Sequence, residues 1–547
     1  MKIKSIFLTF FWSLNLLSYS VFAQVNNNFE ISKAIDIYNS LFKELNINYV
    51  DQIKPAELNE SAINAMLNEL DPYTVFVPES QIEDMRLMTT GEYGGIGSLI
   101  QQMGDYVIIS EPYEGFPAQK AGLVPGDIIL EINGLDAVKK NSAEISELLK
   151  GIPGSVVRLK IQRELIESPF LVELTREKIK LDNIPYYTIM EPGIGYILLT
   201  GFTQKAASEF KDVLMKMKET QPLNGLIIDL RGNGGGLLNE AVDIANLFVN
   251  KNELIVSTKG KSPDRTTVHR TRFVPTDLNI PLVVLVNESS ASASEIVAGA
   301  LQDLDRAVII GQKTFGKGLV QNVVPLTYNT QLKITVAKYY IPSGRCIQAI
   351  DYSHKTENGG KIPDSLVSTF KTRNGRTVYD NGGITPDIAI EPYEFSPVSA
   401  NLYSGNYFFK YANHFAARNK SITPVADFEI NDTIYNDFMS FVARQGFSYT
   451  TESEKMIDNL RHIAEDESYL SEVKAQLDAL ESQLDLIKQS DIQKHRKEIG
   501  RLLKTEIVSR YYYQKGKIIV ALKDDPELKK ATEIILDQKS YQALLSN

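Results

Sequence analysis

Apolar runs of three to five residues recur between residues 192 and 392, and stretches with helical character separate them. Runs this short and this apolar are typical of strands that are buried on both faces of a sheet. The runs lie at Tyr196–Leu199, Leu226–Leu230, Leu282–Val286 and Val308–Ile310. The alternation of buried strands with helices predicts an α/β domain in this part of the chain.

The rest of the 547-residue chain shows further patterns, which together predict a multidomain α+β protein. Residues 24–90 carry apolar side chains at helical spacing, and residues 91–178 carry short β-type runs around one helical stretch. Residues 179–395 hold the α/β domain, and residues 396–547 are helical and charged. We therefore expect an N-terminal helical region, a β-rich domain, an α/β core and a helical C-terminal extension.

One stretch of the C-terminal extension has apolar residues three and four positions apart. They are Leu470, Val473, Leu477, Leu480, Leu484 and Ile487. The pattern covers about two and a half heptads, fewer than a coiled coil needs, so it favours a helical hairpin or bundle. No motif indicates what the extension does, although helical regions can mediate homo-oligomer assembly or recruit an adaptor.

The first 23 residues have the three parts of a secretory signal peptide. Lys2 and Lys4 form a basic start, Ile6–Leu17 is apolar, and Val21-Phe22-Ala23 ends the segment. A membrane anchor is the alternative, but the apolar run is short and polar residues interrupt it. We therefore predict cleavage after Ala23 and export, with no later segment apolar enough to span a bilayer.

Charge and cysteine content exclude several classes of function. The chain has 58 Lys and Arg against 68 Asp and Glu, a net charge of −10, whereas a nucleic-acid binder needs a basic face to displace counterions from phosphates. Cys346 is the only cysteine, which excludes intrachain disulfides, cysteine-based zinc sites and iron–sulfur clusters.

A glycine-rich stretch, Gly94-Gly95-Ile96-Gly97, precedes a predicted strand at Ser98–Gln102. Such a loop lets successive backbone N–H groups converge on one anion, and the strand edge beside it can accept an extended peptide. With Leu99 on that strand, these residues are the candidate peptide-binding site. Together with the turns at residues 122–127 and 132–134, the segment resembles a PDZ domain, a module that commonly grips a peptide C-terminus. A PDZ-like fold used only for interdomain packing is the alternative.

The segment Ser290-Ala291-Ser292-Ala293-Ser294-Glu295 lies between a predicted strand and a predicted helix that runs from Ala293 to about Asp303. A serine at a helix N-terminus has backbone N–H groups nearby that can stabilise an oxyanion, as an acyl-transfer nucleophile requires. Ser292-x-x-Glu295 is also the pattern of a capping box, in which the serine has no chemistry. On this segment alone, the capping interpretation is favoured.

A serine nucleophile needs a base, and the histidines do not offer a recognisable one. They are His269, His354, His414, His462 and His495. A lysine can replace histidine where burial lowers its pKa enough to make it a neutral base. Lys317 has small neighbours in Gly316-Lys317-Gly318 that would let it enter a cramped site, and Gln321 could hold its amine by a hydrogen bond.

Two nucleotide-binding patterns compete with this interpretation. Gly311-x-x-x-x-Gly316-Lys317 matches most of a P-loop, but Gly318 stands where Ser or Thr must bind magnesium, and residues 319–325 indicate a strand. Residues 229–236, Asp-Leu-Arg-Gly-Asn-Gly-Gly-Gly, lack the final glycine of a dinucleotide fingerprint. A glycine-rich turn before a helix suits an oxyanion donor equally well.

These motifs, in this order, resemble the carboxyl-terminal processing peptidases, also called tail-specific proteases. The motifs are the signal segment, the PDZ-like segment, residues 229–236, Ser-Ala-Ser-Ala-Ser-Glu and Thr-Phe-Gly-Lys-Gly-x-Val-Gln. The resemblance covers residues 60–392 and implies a protease core of that family's type. It does not extend to residues 400–547.

The resemblance assigns roles to particular residues. It implies Ser292 as nucleophile, Lys317 as base and Gln321 as the residue that orients the base. It also implies the N–H groups of Gly236 and Ala293 as oxyanion donors. Asp303 matches an acidic position that is sometimes grouped with the catalytic residues.

The expected function is that of a serine endopeptidase with a Ser/Lys dyad, acting on exported or unfolded proteins that the PDZ segment recognises by apolar C-termini. Such a mechanism needs no metal ion and no organic cofactor, and the resemblance implies a periplasmic or cell-envelope location. A catalytically silent PDZ adaptor and an apolar-ligand carrier are the alternatives. Retention of both Ser292 and Lys317 argues against the adaptor, and a carrier would need neither a PDZ domain nor this pair.

Overall fold

The computed structural model describes residues 28–352, 367–380 and 382–546. The segment predicted to be a signal peptide, residues 1–23, lies outside the described residues. The chain divides into two compact units, one ending at Phe76 and the other beginning at Val77. The second unit contains the β-rich domain, the α/β core and the C-terminal helices.

The first unit is helical, as its apolar spacing predicts. Helix α1 spans residues 28–48, and helix α2 spans Pro55–Asn68 with proline in its first turn, where the missing N–H has no helical partner to lose. The hydroxyl of Tyr38 donates to Oδ1 of Asn59 at 2.8 Å and ties the two helices together. A short strand, β1 (Val75–Val77), follows.

The β-rich domain has its strands and helices close to the predicted positions. The strands are β2 (Glu92–Gly95), β3 (Ser98–Met103), β4 (Tyr106–Pro112), β5 (Ile128–Ile132), β6 (Leu135–Asp136), β7 (Val156–Gln162), β8 (Phe170–Thr175) and β9 (Glu177–Lys180). The helices are α3 (Ile82–Thr90), α4 (Pro117–Lys120) and α5 (Ser142–Leu149). Strands β3, β4, β5, β7 and β8 form an antiparallel sheet in that order, so β3 lies at an edge. Ile145 and Leu149 of α5 pack into the core of this domain.

The α/β core is built on a six-stranded sheet, which confirms the predicted α/β domain. In sheet order the strands are β10 (Tyr186–Met190), β11 (Ile194–Leu198), β12 (Gly225–Asp229), β15 (Leu282–Val286), β16 (Val308–Gly311) and β21 (Ile388–Ala389). All neighbours pair in parallel except β10 with β11. Every residue of β12 and β15 is buried, which explains the uninterrupted apolar runs in the sequence.

Three helices cover one face of this sheet. They are α6 (Ala206–Thr220), α7 (Leu238–Asn246) and α8 (Ala293–Asp303). Alternate strand residues such as Ile228 and Val284 point to this face and pack with Phe210, Ala241 and Ile296 of the three helices.

A second, antiparallel sheet lies beside the core. Its strands include β13 (Leu254–Gly260), β14 (Thr266–Arg270), β17 (Leu319–Pro325) and β18 (Gln331–Tyr340). Strand β18 pairs with both β13 and β17, and β14 pairs with β13. A small ribbon of β19 (Thr369–Lys371) and β20 (Thr377–Tyr379) follows.

The C-terminal extension is helical throughout its described length, as the sequence predicts. The helices are α9 (Pro397–Ser404), α10 (Tyr407–Arg418), α11 (Asp432–Arg444), α12 (Glu452–Asp466), α13 (Leu470–Lys494), α14 (Arg496–Leu522), α15 (Pro526–Leu536) and α16 (Gln538–Ser546). Helices α12 and α13 pack together as the predicted hairpin, and α9, α10, α11 and α14 share one apolar core. Of the helices described, none is apolar over enough length to cross a bilayer.

The last two helices cover the second face of the central sheet. Ile534, Ile535 and Tyr541 are buried against Ile227 and Leu285, which alternate with the residues that face α6, α7 and α8. The C-terminal extension is therefore split between a separate bundle and a layer that completes the α/β core.

The bundle also contacts the β-rich domain through polar side chains. Nε2 of Gln119 donates to the hydroxyl of Tyr513 at 3.0 Å, and Nζ of Lys517 donates to Oε2 of Glu111 at 3.3 Å. The C-terminal helices thus contact both the core and the β-rich domain.

Replacing Ile535 by alanine should destabilise the core, because the side chain is 1% exposed and occupies the space that a side chain at Gly225 would fill. The expected loss is about 2–5 kcal/mol of unfolding free energy. Leu536→Ala is the matched control: this neighbouring leucine is 49% exposed and should contribute less than about 0.5 kcal/mol. Denaturant unfolding followed by circular dichroism measures both variants, and equal losses would contradict this packing of α15.

Candidate active site

Ser292 occupies the predicted junction between β15 and α8. It immediately precedes the helix with φ 57° and ψ −111°, a conformation that residues other than glycine rarely adopt. A strained backbone persists only where its surroundings fix it, and such strain clusters at functional sites. Two buried side chains, Glu295 and Tyr339, provide the fixing contacts.

The carboxylate of Glu295 is fully buried and accepts four hydrogen bonds. Oε2 accepts from the N–H groups of Ser292 at 2.8 Å and Lys317 at 2.9 Å. Oε1 accepts from the N–H of Gly316 at 2.8 Å and the hydroxyl of Thr314 at 2.6 Å. Burial raises the pKa of Glu295, and the four donors limit that rise because they stabilise the ionised form. One oxygen atom thus holds the backbones of Ser292 and Lys317 side by side.

Tyr339 of β18 fixes the same two residues from their carbonyl side. Its hydroxyl lies 3.0 Å from the carbonyl oxygen of Ser292 and also contacts the carbonyl oxygen of Lys317. The ring is 1% exposed, so the hydroxyl has little freedom to move. The structure therefore brings Ser292 and Lys317, both half-buried, to one place although they lie on different segments of the chain.

The glycine-rich turn after β12 is tied to the serine segment by Asn233. Its carbonyl oxygen accepts from the N–H of Ala291 at 3.0 Å and from the hydroxyl of Ser294 at 2.8 Å. Its side chain donates to the carbonyl of Leu199 at 2.7 Å and accepts from the N–H of Gly235 at 2.9 Å. Asn233 thereby fixes the turn against the residues that flank Ser292.

Glycines at the end of this turn allow its close approach to the serine. Gly235 has φ 101°, and a Cβ there would lie 2.9 Å from Cβ of Ser292. Within the described chain, neither the N–H of Gly236 nor that of Ala293 donates a hydrogen bond. Both groups can therefore donate to an oxyanion that forms on a substrate bound at Ser292.

Gln321 lies on β17, and its Nε2 donates to Oγ1 of Thr335 on β18 at 3.3 Å. It lines a groove of about 790 Å³ together with Leu237 and Leu238, which directly follow the turn at Gly236. The groove therefore adjoins the glycine-rich turn that ends at Gly236.

Of the histidines that the structure describes, one lines this groove and none contacts the serine. His269 lines it and is half-buried; burial, and then the nearby charge of Arg272, lower the pKa of this imidazole. His414 lies in the C-terminal bundle, where Nδ1 is 3.2 Å from Oε1 of Glu164. Among the described residues, neither His269 nor His414 makes a hydrogen bond to Ser292.

Asp303 is not part of this arrangement. It is the last residue of α8, an 11-residue helix that begins beside Ser292, so about 15 Å of helix separates the two. Oδ1 accepts from Nη2 of Arg345 at 2.8 Å, and Oδ2 accepts from the N–H of Ser343 at 2.9 Å. Burial raises the pKa of Asp303, and Arg345 opposes the rise. The structure thus places Asp303 away from Ser292, where its buried ion pair with Arg345 holds the far end of the helix.

The candidate peptide-binding residues are divided between a paired strand and a loop. Gly94 and Gly95 belong to β2, which pairs with β9, so their backbone lies within a two-stranded ribbon. Ile96 and Gly97 follow as a loop whose N–H groups donate no hydrogen bond in the described part of the chain. Leu99 is 49% exposed on the edge strand β3. An N–H cradle beside an open strand edge is the arrangement needed to bind a peptide C-terminus.

The structure contradicts the P-loop interpretation. A strand, β17, follows Lys317 where a P-loop requires a helix. In the described residues, no cluster of three or more His, Cys, Asp or Glu side chains is placed to hold a metal ion.

Sequence reasoning missed three residues that build the site. The sequence marks Glu295 only as half of a capping box, whereas its carboxylate also holds the Lys317 segment. Asn233 lies in the motif at residues 229–236 without an assigned role, and Tyr339 gives no signal because tyrosine is common on strands.

Three family models match along the chain. Residues 193–355 match "Peptidase family S41", residues 108–163 match "PDZ domain", and residues 398–535 match "Probable PDZ-protease, C-terminal helical domain". The β-rich domain is thus a PDZ domain, and the C-terminal helices are a known companion of such proteases.

The chain is also similar to known proteins. The carboxy-terminal-processing protease of Bartonella bacilliformis is 37% identical over 361 residues, which cover 65% of this chain and 80% of that protein. A protein of Staphylococcus aureus named "Probable CtpA-like serine protease" is 33% identical over 334 residues, which cover 61% of this chain and 64% of that protein. A solved photosystem II D1 C-terminal processing protease is 26% identical with a TM-score of 0.36, covering 65% of this chain and 92% of that one.

The family models and the curated relatives define a serine-type peptidase with a PDZ domain. More particularly, the chain belongs to the carboxy-terminal-processing proteases of peptidase family S41.

Replacing Glu295 by glutamine should disrupt the site, because an amide NH₂ would face backbone N–H donors. The expected loss is about 3 kcal/mol of unfolding free energy, from buried donors left without an acceptor, with peptidase activity reduced at least tenfold. Glu288→Gln is the control, since Glu288 lies exposed in the same connection between β15 and α8. Thermal unfolding and a protein-cleavage assay measure both variants, and a Glu295→Gln protein as stable and active as wild type would contradict this role.

Proposed function

We propose that this protein is an endopeptidase with a Ser292–Lys317 dyad that cleaves exported or unfolded polypeptides captured by their C-termini. The observation that carries the proposal is the shared anchoring of both residues by Glu295 and Tyr339. A carboxylate that binds both backbone N–H groups and a hydroxyl that contacts both carbonyls serve no obvious purpose unless the two side chains act together.

The proposed reaction follows from this arrangement. The neutral amine of Lys317 takes the proton of the Ser292 hydroxyl while Oγ attacks a substrate carbonyl carbon. The N–H groups of Gly236 and Ala293 donate to the oxyanion of the tetrahedral intermediate. Lys317 then gives the proton to the leaving amine, and water hydrolyses the acyl-enzyme with the same lysine as base. Gln321 would orient the amine from β17.

Substrate capture is assigned to the PDZ domain. The terminal carboxylate would accept from the N–H groups of Ile96 and Gly97, and the peptide would extend along β3 with an apolar side chain near Leu99. The groove lined by Leu237 and Gln321 would hold the segment that is cleaved. Export through the N-terminal segment and action in the periplasm or cell envelope remain part of the proposal, which the basic and apolar residues of that segment support.

Ser292→Ala and Lys317→Ala should each reduce cleavage of an unfolded protein by about a thousandfold or more, because nucleophile and base act as one unit. Ser289→Ala and Lys338→Ala are matched controls at exposed positions nearby and should retain activity. Intact-mass detection of fragments over time measures all four. Equal cleavage by every variant would refute the dyad. If wild type binds the unfolded substrate protein but does not cleave it, the adaptor interpretation would be favoured.

A peptide with an apolar C-terminus should bind the Ser292→Ala protein about tenfold more tightly as the free acid than as the amide, because charge-assisted hydrogen bonds to the cradle would be lost. Leu99→Glu should also lower the affinity for the free-acid peptide. Leu171→Glu, at another exposed strand position, should leave that affinity unchanged. Fluorescence anisotropy measures the affinities. Equal affinity of acid and amide would contradict carboxylate recognition.

A further inference from the structure

Arg231 joins the glycine-rich turn of the protease core to the C-terminal helices. Its Nη2 is 2.6 Å from Oδ2 of Asp229 and 2.7 Å from Oδ2 of Asp525, and its Nη1 is 3.2 Å from Oε2 of Glu527. Asp229 ends β12 in the core, whereas Asp525 and Glu527 lie at the start of α15. One guanidinium is therefore bound by carboxylates from both parts of the chain.

The three carboxylates and Arg231 lie largely out of solvent, so each depends on the others. The Arg231 side chain is 18% exposed, and those of Asp229 and Asp525 are 3% and 9% exposed. Burial alone would lower the pKa of Arg231, but Asp229 and Asp525 outweigh it and keep the guanidinium charged. Removing one partner of such a pair leaves a buried charge without compensation.

The C-terminal half of this cluster is rigidly placed. Asp525 caps α15 by accepting from the N–H of Leu528 at 2.9 Å, and Oε1 of Glu527 accepts from Nε2 of Gln312 at 2.9 Å. The apolar face of α15 is buried against the central sheet. Asp525 and Glu527 therefore form a fixed anchor for Arg231.

The core half of the cluster leads directly into the glycine-rich turn that ends at Gly236. Arg231 is followed by Gly232, whose N–H donates to Oδ1 of Asn287 at 2.9 Å, and then by Asn233, which holds the turn against the serine segment. Only four residues separate Arg231 from Gly236, the proposed donor. A shift of the guanidinium would be transmitted along this short, glycine-rich segment.

We propose that Asp525 and Glu527 are positioning residues of the peptidase reaction, which act through Arg231 to hold the Gly236 N–H where the oxyanion forms. The inference rests on the proposed function, because it assigns a purpose to the turn only if Gly236 is a donor. It gives the end of the C-terminal extension a specific part in catalysis: the core is catalytically incomplete without residues 525–527.

The test uses the full chain with Asp525→Asn and Glu527→Gln, singly and combined. Asparagine can still cap α15, and glutamine can still accept from Gln312, so both substitutions remove charge while preserving these local contacts. Glu533→Gln is the matched control, since Glu533 lies on the same helix and is 67% exposed in its pair with Lys530.

The double variant should lose about tenfold or more in kcat with KM within about twofold of wild type, because the contact to the oxyanion matters mainly in the transition state. A peptide aldehyde, whose adduct with Ser292 places an oxygen at the oxyanion position, should bind more weakly by the same factor. Uncleaved peptide should bind the Ser292→Ala form of each protein equally well. Asp525→Glu, which keeps the charge, should lose less kcat and less aldehyde affinity than Asp525→Asn. Glu533→Gln should match wild type.

Wild-type kinetics for the double variant would overturn the inference and leave the dyad intact. The double variant could also lose activity only because less of the protein is folded, while the folded protein binds the aldehyde as tightly as wild type. That result would overturn the inference, because the cluster would then have only a structural role. If the double variant fails to fold, Glu527→Gln alone decides by the same aldehyde measurement. Failure of the proposed function has a separate signature: wild type and Ser292→Ala would cleave equally, whatever residues 525 and 527 are.

Discussion

The buried carboxylate of Glu295 is the interaction on which the active-site geometry depends. The serine and lysine segments follow the neighbouring strands β15 and β16, and beyond the ladder the N–H of Phe315 donates to the carbonyl oxygen of Ser290 at 3.1 Å. A fully buried carboxylate is costly unless donors surround it, and here the donors come from both segments. The need to satisfy that one group therefore draws the segments together, and Tyr339 closes the arrangement from the carbonyl side.

The central sheet needs both of its faces covered, and this requirement explains the C-terminal helices. Strands β12 and β15 are apolar at every position except Asp229, so a layer of helices on one face would leave the other exposed to water. Helices α15 and α16 provide the second layer. The polar exception, Asp229, accepts from the hydroxyl of Tyr196 at 2.6 Å and pairs with Arg231, so even this residue is compensated.

Sequence predicted most of the fold because the relevant signals are local. The strand Leu282–Val286 and the helix Ala293–Asp303 have the predicted bounds, since a continuous apolar run and a serine-rich start mark them clearly. No local sequence pattern predicts the contacts between segments that are distant along the chain. Arg231 and Glu527 are separated by 296 positions, and their pairing becomes visible only when α15 lies on the sheet. Asp303 is a second example: its position in a motif suggests a catalytic role, but the sequence gives no sign of its ion pair with Arg345.

Glu295 has a part in both interpretations of Ser292-x-x-Glu295, the helix cap and the proposed catalytic site. In a capping box the third residue of the helix accepts from the N–H of the capping residue, and Glu295 does this for Ser292. The same carboxylate has capacity for further donors, and the lysine segment supplies them. An ordinary helix-start signal thus becomes the element that fixes a strained serine beside a lysine. A local motif can establish the cap, but only the long-range partners of Glu295 distinguish an active site from a plain helix terminus.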